Sequence, residues 1–119
     1  MGITYTEQIN QKGDNIPQLI KLIKRYRRIN TVKLRRDITP MIQILEHILK
    51  GMHTLDFSYS YEYIEGYCLE DTINEVKIYI EPQNNNIRLS RYYKGITLDW
   101  KPSSLKSLIF QLNVIDNEL

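Results

Sequence analysis

Between Lys21 and Arg36 the sequence holds eight cations (Lys21, Lys24, Arg25, Arg27, Arg28, Lys33, Arg35 and Arg36) and no carboxylate. Elsewhere eight basic residues stand against fourteen acidic ones, so a +8 segment is joined to a −6 remainder although the net charge is only +2. A concentrated positive field attracts phosphate, anionic lipid or an acidic protein face far more strongly than the average charge implies. Five of the eight cations are arginines, and a guanidinium grips phosphate through two parallel hydrogen bonds where an ammonium acts as a point charge. A merely solvated helix face interleaves signs for i,i+4 pairing, and this stretch offers no acidic partner. The residues predicted to contact nucleic acid are therefore Lys21, Lys24, Arg25, Arg28, Lys33, Arg35 and Arg36. No helix-turn-helix, zinc-finger or RNA-recognition signature accompanies them, so the contacts expected are to backbone and shape, with low sequence specificity.

Other residues capable of chemistry are less well placed for it. Phe57, Tyr59, Tyr61 and Tyr63 form an alternating aromatic ladder. Such rings stack on single-stranded bases in some proteins, but a half-buried strand needs them for the core, and burial is the expectation here. Tyr79 and Tyr92 fall on the predicted polar face of the sheet beside Lys77 and Arg88. Glu62, Glu75, Glu81 and Asp99 are assigned to that face too and would repel phosphate. Tyr79, Arg88 and Tyr92 thus suit a protein interface, where tyrosine and arginine are common anchors.

His47 and His53 have no cysteine or carboxylate at a metal-ligand spacing, and Cys68 has no nearby cation to activate it, so no metal site and no nucleophile are expected. Only five glycines are present and none forms a phosphate loop. No cofactor is expected. The remaining catalytic reading is a metal-independent ribonuclease built from arginine, lysine, tyrosine and histidine, whose residue types are present without a recognisable arrangement. The expectation is a binding protein that is not an enzyme.

The elements that must position these groups follow from periodicity. Pro17 opens a predicted helix to about Ile29, with Leu19, Ile20, Ile23 and Tyr26 on one face and Lys21, Lys24, Arg25 and Arg28 on the other. Asn30 to Asp37 reads as a short extended connection. A second helix starts at the Thr39 cap and Pro40, shows the apolar stripe Met41, Ile44, Leu45, Ile48 and Met52, and stops near Gly51. From Leu55 the period becomes two. Strands are predicted over Leu55–Tyr63, around Val76–Glu81, from Ile87, and over Ile96–Trp100 after a Lys94-Gly95 turn. A last helix begins at Pro102 with Ser103 or Ser104 as cap, and Leu105, Leu108, Ile109 and Leu112 form its apolar face.

The predicted class is α+β: two N-terminal helices, an antiparallel meander of three or four strands, and a C-terminal helix packed on one sheet face. The 119 residues suit one domain, 1–119, with 1–14 as a flexible stretch or an edge strand. One cysteine and no secretory leader point to the cytoplasm, and no apolar run reaches membrane-spanning length. Met1 to Thr6 fit the loose myristoylation pattern, which short sequences match by chance. The expected partner is nucleic acid. The alternative is an acidic protein surface met by an inhibitor, such as an antitoxin, an immunity protein or a phage-encoded blocker of a host nuclease or defence system. An exposed strand edge also makes a homodimer possible.

Overall fold

The structure is a computed structural model that describes residues 20–21, 46–64 and 66–119. Five strands run β1 (Ser58–Tyr63), β2 (Gly66–Asp71), β3 (Val76–Glu81), β4 (Asn86–Tyr93) and β5 (Ile96–Trp100), followed by helix α1 (Leu105–Glu118). Each strand pairs antiparallel with the next in sequence, giving one sheet in the order β1-β2-β3-β4-β5. The α+β meander with a C-terminal helix is as the periodicity predicts, with one strand more. β2 escapes a period-two reading because Tyr67, Cys68 and Leu69 are buried in succession; a strand covered on both faces has no reason to alternate.

One face of the sheet is apolar. Val76, Ile78 and Ile80 of β3 stand beside Leu69 and Tyr67 of β2 and beside Leu89 and Ile87 of β4, and all are buried. Helix α1 covers this face with Leu105, Leu108, Leu112 and Ile115, which recur at helical spacing and join the same core. Full burial of one such side chain contributes roughly 2 kcal/mol, so four of them outweigh an unfavourable charge distribution: the first turn has no acid and the last turn no base. Ser104 is the N-cap, its Oγ accepting a 3.0 Å hydrogen bond from the Ser107 N–H. Among the described residues no helix is long and apolar enough to cross a membrane.

The predicted N-terminal helices are described only at residues 20–21, which are helical, and from residue 46, where 46–48 are helical and 49–51 form a turn. Ile20 and Ile48 are buried in the core, whereas Lys21 is exposed. Gly51 has φ +86°, the left-handed conformation that commonly ends a helix. The chain then passes through residues 53–55, whose backbone N–H groups all point at one carboxylate near the end of α1: His53 to Asp116 Oδ2 at 2.8 Å, Thr54 and Leu55 to Oδ1 at 2.7 and 2.8 Å. The remainder of both helices, residues 1–14 and the connection at 30–37 lie outside the described residues.

The aromatic ladder departs from expectation. Tyr59 is opposite Leu69, but Tyr61 is opposite Cys68, so Ser60 is an extra residue in β1. Such a bulge shifts the alternation by one and sends every later side chain to the other face. Phe57 and Tyr59 remain with the core, while Tyr61 and Tyr63 stand on the opposite face and Glu62, opposite Tyr67, leaves the polar face assigned to it.

Candidate functional site

The sheet face turned away from α1 carries a connected polar and aromatic cluster, and at its centre is Glu81, whose side chain is only 6% exposed. A carboxylate so shielded is costly unless its oxygens are occupied, and here both are. Oε2 accepts from the Tyr63 hydroxyl at 2.7 Å; Oε1 accepts from Asn86 Nδ2 at 2.9 Å and from Arg88 Nε at 3.1 Å. A second guanidinium nitrogen of Arg88 reaches Oε2 at 3.4 Å, completing a side-on pair, and Asp99 lies 3.9 Å from Arg88 Nη1.

Three strands converge here because the antiparallel register puts Gly66 opposite Tyr63, Tyr79 opposite Arg88 and Glu81 opposite Asn86. Arg88 lies over the Tyr79 ring at 4.4 Å. Tyr79 meets Tyr63 edge to face at 5.9 Å, and Tyr63 meets Tyr61 at 6.0 Å. An open cleft of about 510 Å³ borders Tyr63, Glu81, Asn84, Asn86, Arg88 and Lys101.

The protonation chemistry of this cluster is quiet. Burial alone would raise the Glu81 carboxyl, but bonds from Arg88, Tyr63 and Asn86 outweigh it and hold it below the usual carboxylate range. Burial, then the Glu81 hydrogen bond, pushes the Tyr63 hydroxyl well up. Tyr61 is raised as well, by its contact with Cys68 and then by burial, and burial raises the Cys68 thiol. A base that is already ionised and fully bonded, beside acids that hold their protons, is poorly matched to proton transfer near neutral pH.

The same balance recurs at two other carboxylates. Asp71 accepts from the N–H groups of Asp56 and Asn74 and from the Asn74 amide; it and Asp116 are held low by hydrogen bonds that overcome burial. A carboxyl depressed in the folded chain contributes its stability in full above about pH 4 and loses it as pH falls through the folded value. Urea unfolding across a pH series is expected to show stability falling steadily below about pH 4, and a flat profile there would rule out these three groups as acid-sensitive contributors.

Of the residues singled out from the sequence, Tyr79, Arg88 and Tyr92 do share the face turned away from α1, with Tyr79 and Arg88 in contact and Tyr92 further along β4, 51% exposed. Lys21 is on the surface. Lys24, Arg25, Arg28, Lys33, Arg35 and Arg36 lie outside the described residues. Glu81 is on this face as predicted, whereas Asn86 was not singled out and Tyr61 and Tyr63 were expected in the core, because the bulge that delivers both tyrosines has no signature in the run Ser-Tyr-Ser-Tyr-Glu-Tyr. Among the described residues no group of histidine, cysteine or carboxylate side chains could hold a metal ion. No protein-family model, curated protein or solved structure matches this chain.

Proposed function

We propose that the chain is a non-enzymatic binding protein that holds nucleic acid through the basic segment Lys21–Arg36. One observation carries this reading: eight cations stand without a carboxylate between Lys21 and Arg36, and Lys21, the one of them among the described residues, is helical and exposed beside the buried Ile20. In the helix that the sequence predicts, Lys24, Arg25 and Arg28 fall on the side of Lys21. Four of the fourteen carboxylates support it by being committed away from the basic segment, since a basic segment neutralised internally would have nothing left for a ligand. Glu81 is bonded to Arg88, Glu118 to Arg91 at 2.7 Å, Asp116 to three backbone amides and Asp71 to Asn74 and Asp56. Four of the chain's carboxylates are thus engaged within the sheet and α1.

The test is fluorescence anisotropy with duplex and single-stranded DNA and RNA at two salt concentrations. Binding is expected to be salt-sensitive and largely indifferent to sequence. Changing Arg25, Arg28, Arg35 and Arg36 to alanine should remove up to about four phosphate contacts and flatten the salt dependence accordingly. Undiminished binding by the fourfold variant would refute the assignment.

A second reading, a protein-binding inhibitor, is favoured by the Tyr61, Tyr63, Tyr79 and Arg88 cluster, whose side chains hold one another in place before any partner arrives. Pre-ordered tyrosine and arginine are the usual anchors of protein interfaces. Absence of nucleic-acid binding at low salt, together with loss of a protein partner on Tyr61→Ala, would select it.

A further inference from the structure

The two outer strands of the sheet are built differently. β1 carries the bulge at Ser60, a device that spoils an edge as a template. β5, Ile96-Thr97-Leu98-Asp99-Trp100, has no bulge, proline or lysine, and among the described residues nothing pairs with its outer side. Its backbone polarity can be read from its neighbour. The Tyr92 N–H donates to the Glu75 carbonyl on the β3 side, so Tyr92 and its partner Thr97 form a pair without mutual hydrogen bonds. In an antiparallel ladder such pairs alternate with bonded ones. Thr97 and Asp99 therefore direct their N–H and C=O groups outward, while Ile96, Leu98 and Trp100 direct theirs toward β4.

We infer that β5 is the contact through which two copies of this chain form a symmetric dimer, antiparallel, with the twofold axis at Leu98. Axes at Thr97, Leu98 or Asp99 would all set outward groups against outward groups, but only the one at Leu98 finds both Thr97 and Asp99 a partner within β5 and keeps Asp99 from facing Asp99. Thr97 of one copy meets Asp99 of the other as a bonded pair, and the reverse pair repeats it, giving four backbone hydrogen bonds. On the α1 side the axis sets Leu98 against Leu98 and Ile96 against Trp100, at non-bonded positions where side chains approach most closely. Ile96 is 58% exposed and Trp100 packs only at the margin of the core, so both have apolar surface left to cover. On the opposite side each Asp99 faces a threonine hydroxyl rather than the other Asp99, so no like charges are opposed. The inference is independent of what the basic segment binds.

Sedimentation equilibrium of the full chain tests it, with residue 97 as the probe because the register places it against Asp99 of the other copy. Thr97→Asp opposes two pairs of carboxylates and is expected to weaken dimerisation roughly tenfold; Thr97→Lys creates two opposite-charge pairs and is expected to tighten it several-fold, less so at high salt. Residue 97 is exposed, and unchanged urea midpoints will verify that each monomer still folds. A chain that stays monomeric up to about 1 mM, or a dimer that both substitutions shift in the same direction or not at all, would overturn the assignment.

Discussion

Asp116→Ala is expected to lower stability by about 4 kcal/mol, because three bonds from N–H groups to a charged acceptor contribute roughly 1.5–3 kcal/mol each and do not add in full. Against a total of roughly 5–15 kcal/mol for an ordinary domain, that is a large share. Residue 116 lies in the last turn of α1, where the helix dipole disfavours a negative charge by roughly 0.5 kcal/mol, so helix energetics alone would select against it. The N–H groups of His53, Thr54 and Leu55 reverse that preference, and they tie the entry into β1 to the helix covering the sheet. Asp116→Asn separates charge from shape. Its carbonyl can still accept from Thr54 and Leu55, while its amide confronts the His53 N–H donor to donor, so a loss of about 2 kcal/mol is expected. Urea midpoints ordered wild type, Asn, Ala would establish the role; an alanine variant as stable as wild type would show that water replaces the carboxylate at no cost.

Gly66→Ala is expected to be comparably damaging for a different reason. A Cβ at position 66 would overlap the Ile80 carbonyl oxygen and stand 2.9 Å from Glu81 Cα. Both are backbone atoms of the adjoining strand, which cannot rotate aside as a side chain would. Relief requires β2 and β3 to separate, and overpacking of this kind costs roughly 3 kcal/mol or more. Since Gly66 is opposite Tyr63 and beside Glu81, the same displacement should loosen the Tyr63 to Glu81 hydrogen bond. Gly95→Ala is the control: space there is open and only the positive φ of +84° is at issue, a cost of about 1 kcal/mol. Thermal unfolding in which position 66 proves no more sensitive than position 95 would contradict the close approach.

Among the described residues, most of the local architecture was legible in the sequence. Alternation marks β3 to β5, Ser104 and the Leu105, Leu108, Leu112 spacing mark α1, and Lys94-Gly95 marks a turn in which both residues adopt positive φ. What escaped depends on distant partners. Burial on both faces hides β2 from any periodic pattern. One surplus residue at Ser60 re-aims Tyr61 and Tyr63, an event set by the pairing with Cys68 and Gly66 and not by the composition of β1. Glu81 reads as one more solvent-facing acid until β1 and β4 bring Tyr63, Asn86 and Arg88 around it. The capture of residues 53–55 by Asp116 spans more than 60 positions, far beyond the reach of capping rules, which describe neighbours.

The surplus serine in β1 also bears on how large an assembly can grow. A sheet with two straight, equivalent borders can recruit copies indefinitely and become a fibre, whereas one whose first border is buckled offers a single place to join. In the proposed dimer, two copies that meet along their last strands present, among the described residues, only buckled borders outward, and accretion would halt at a pair.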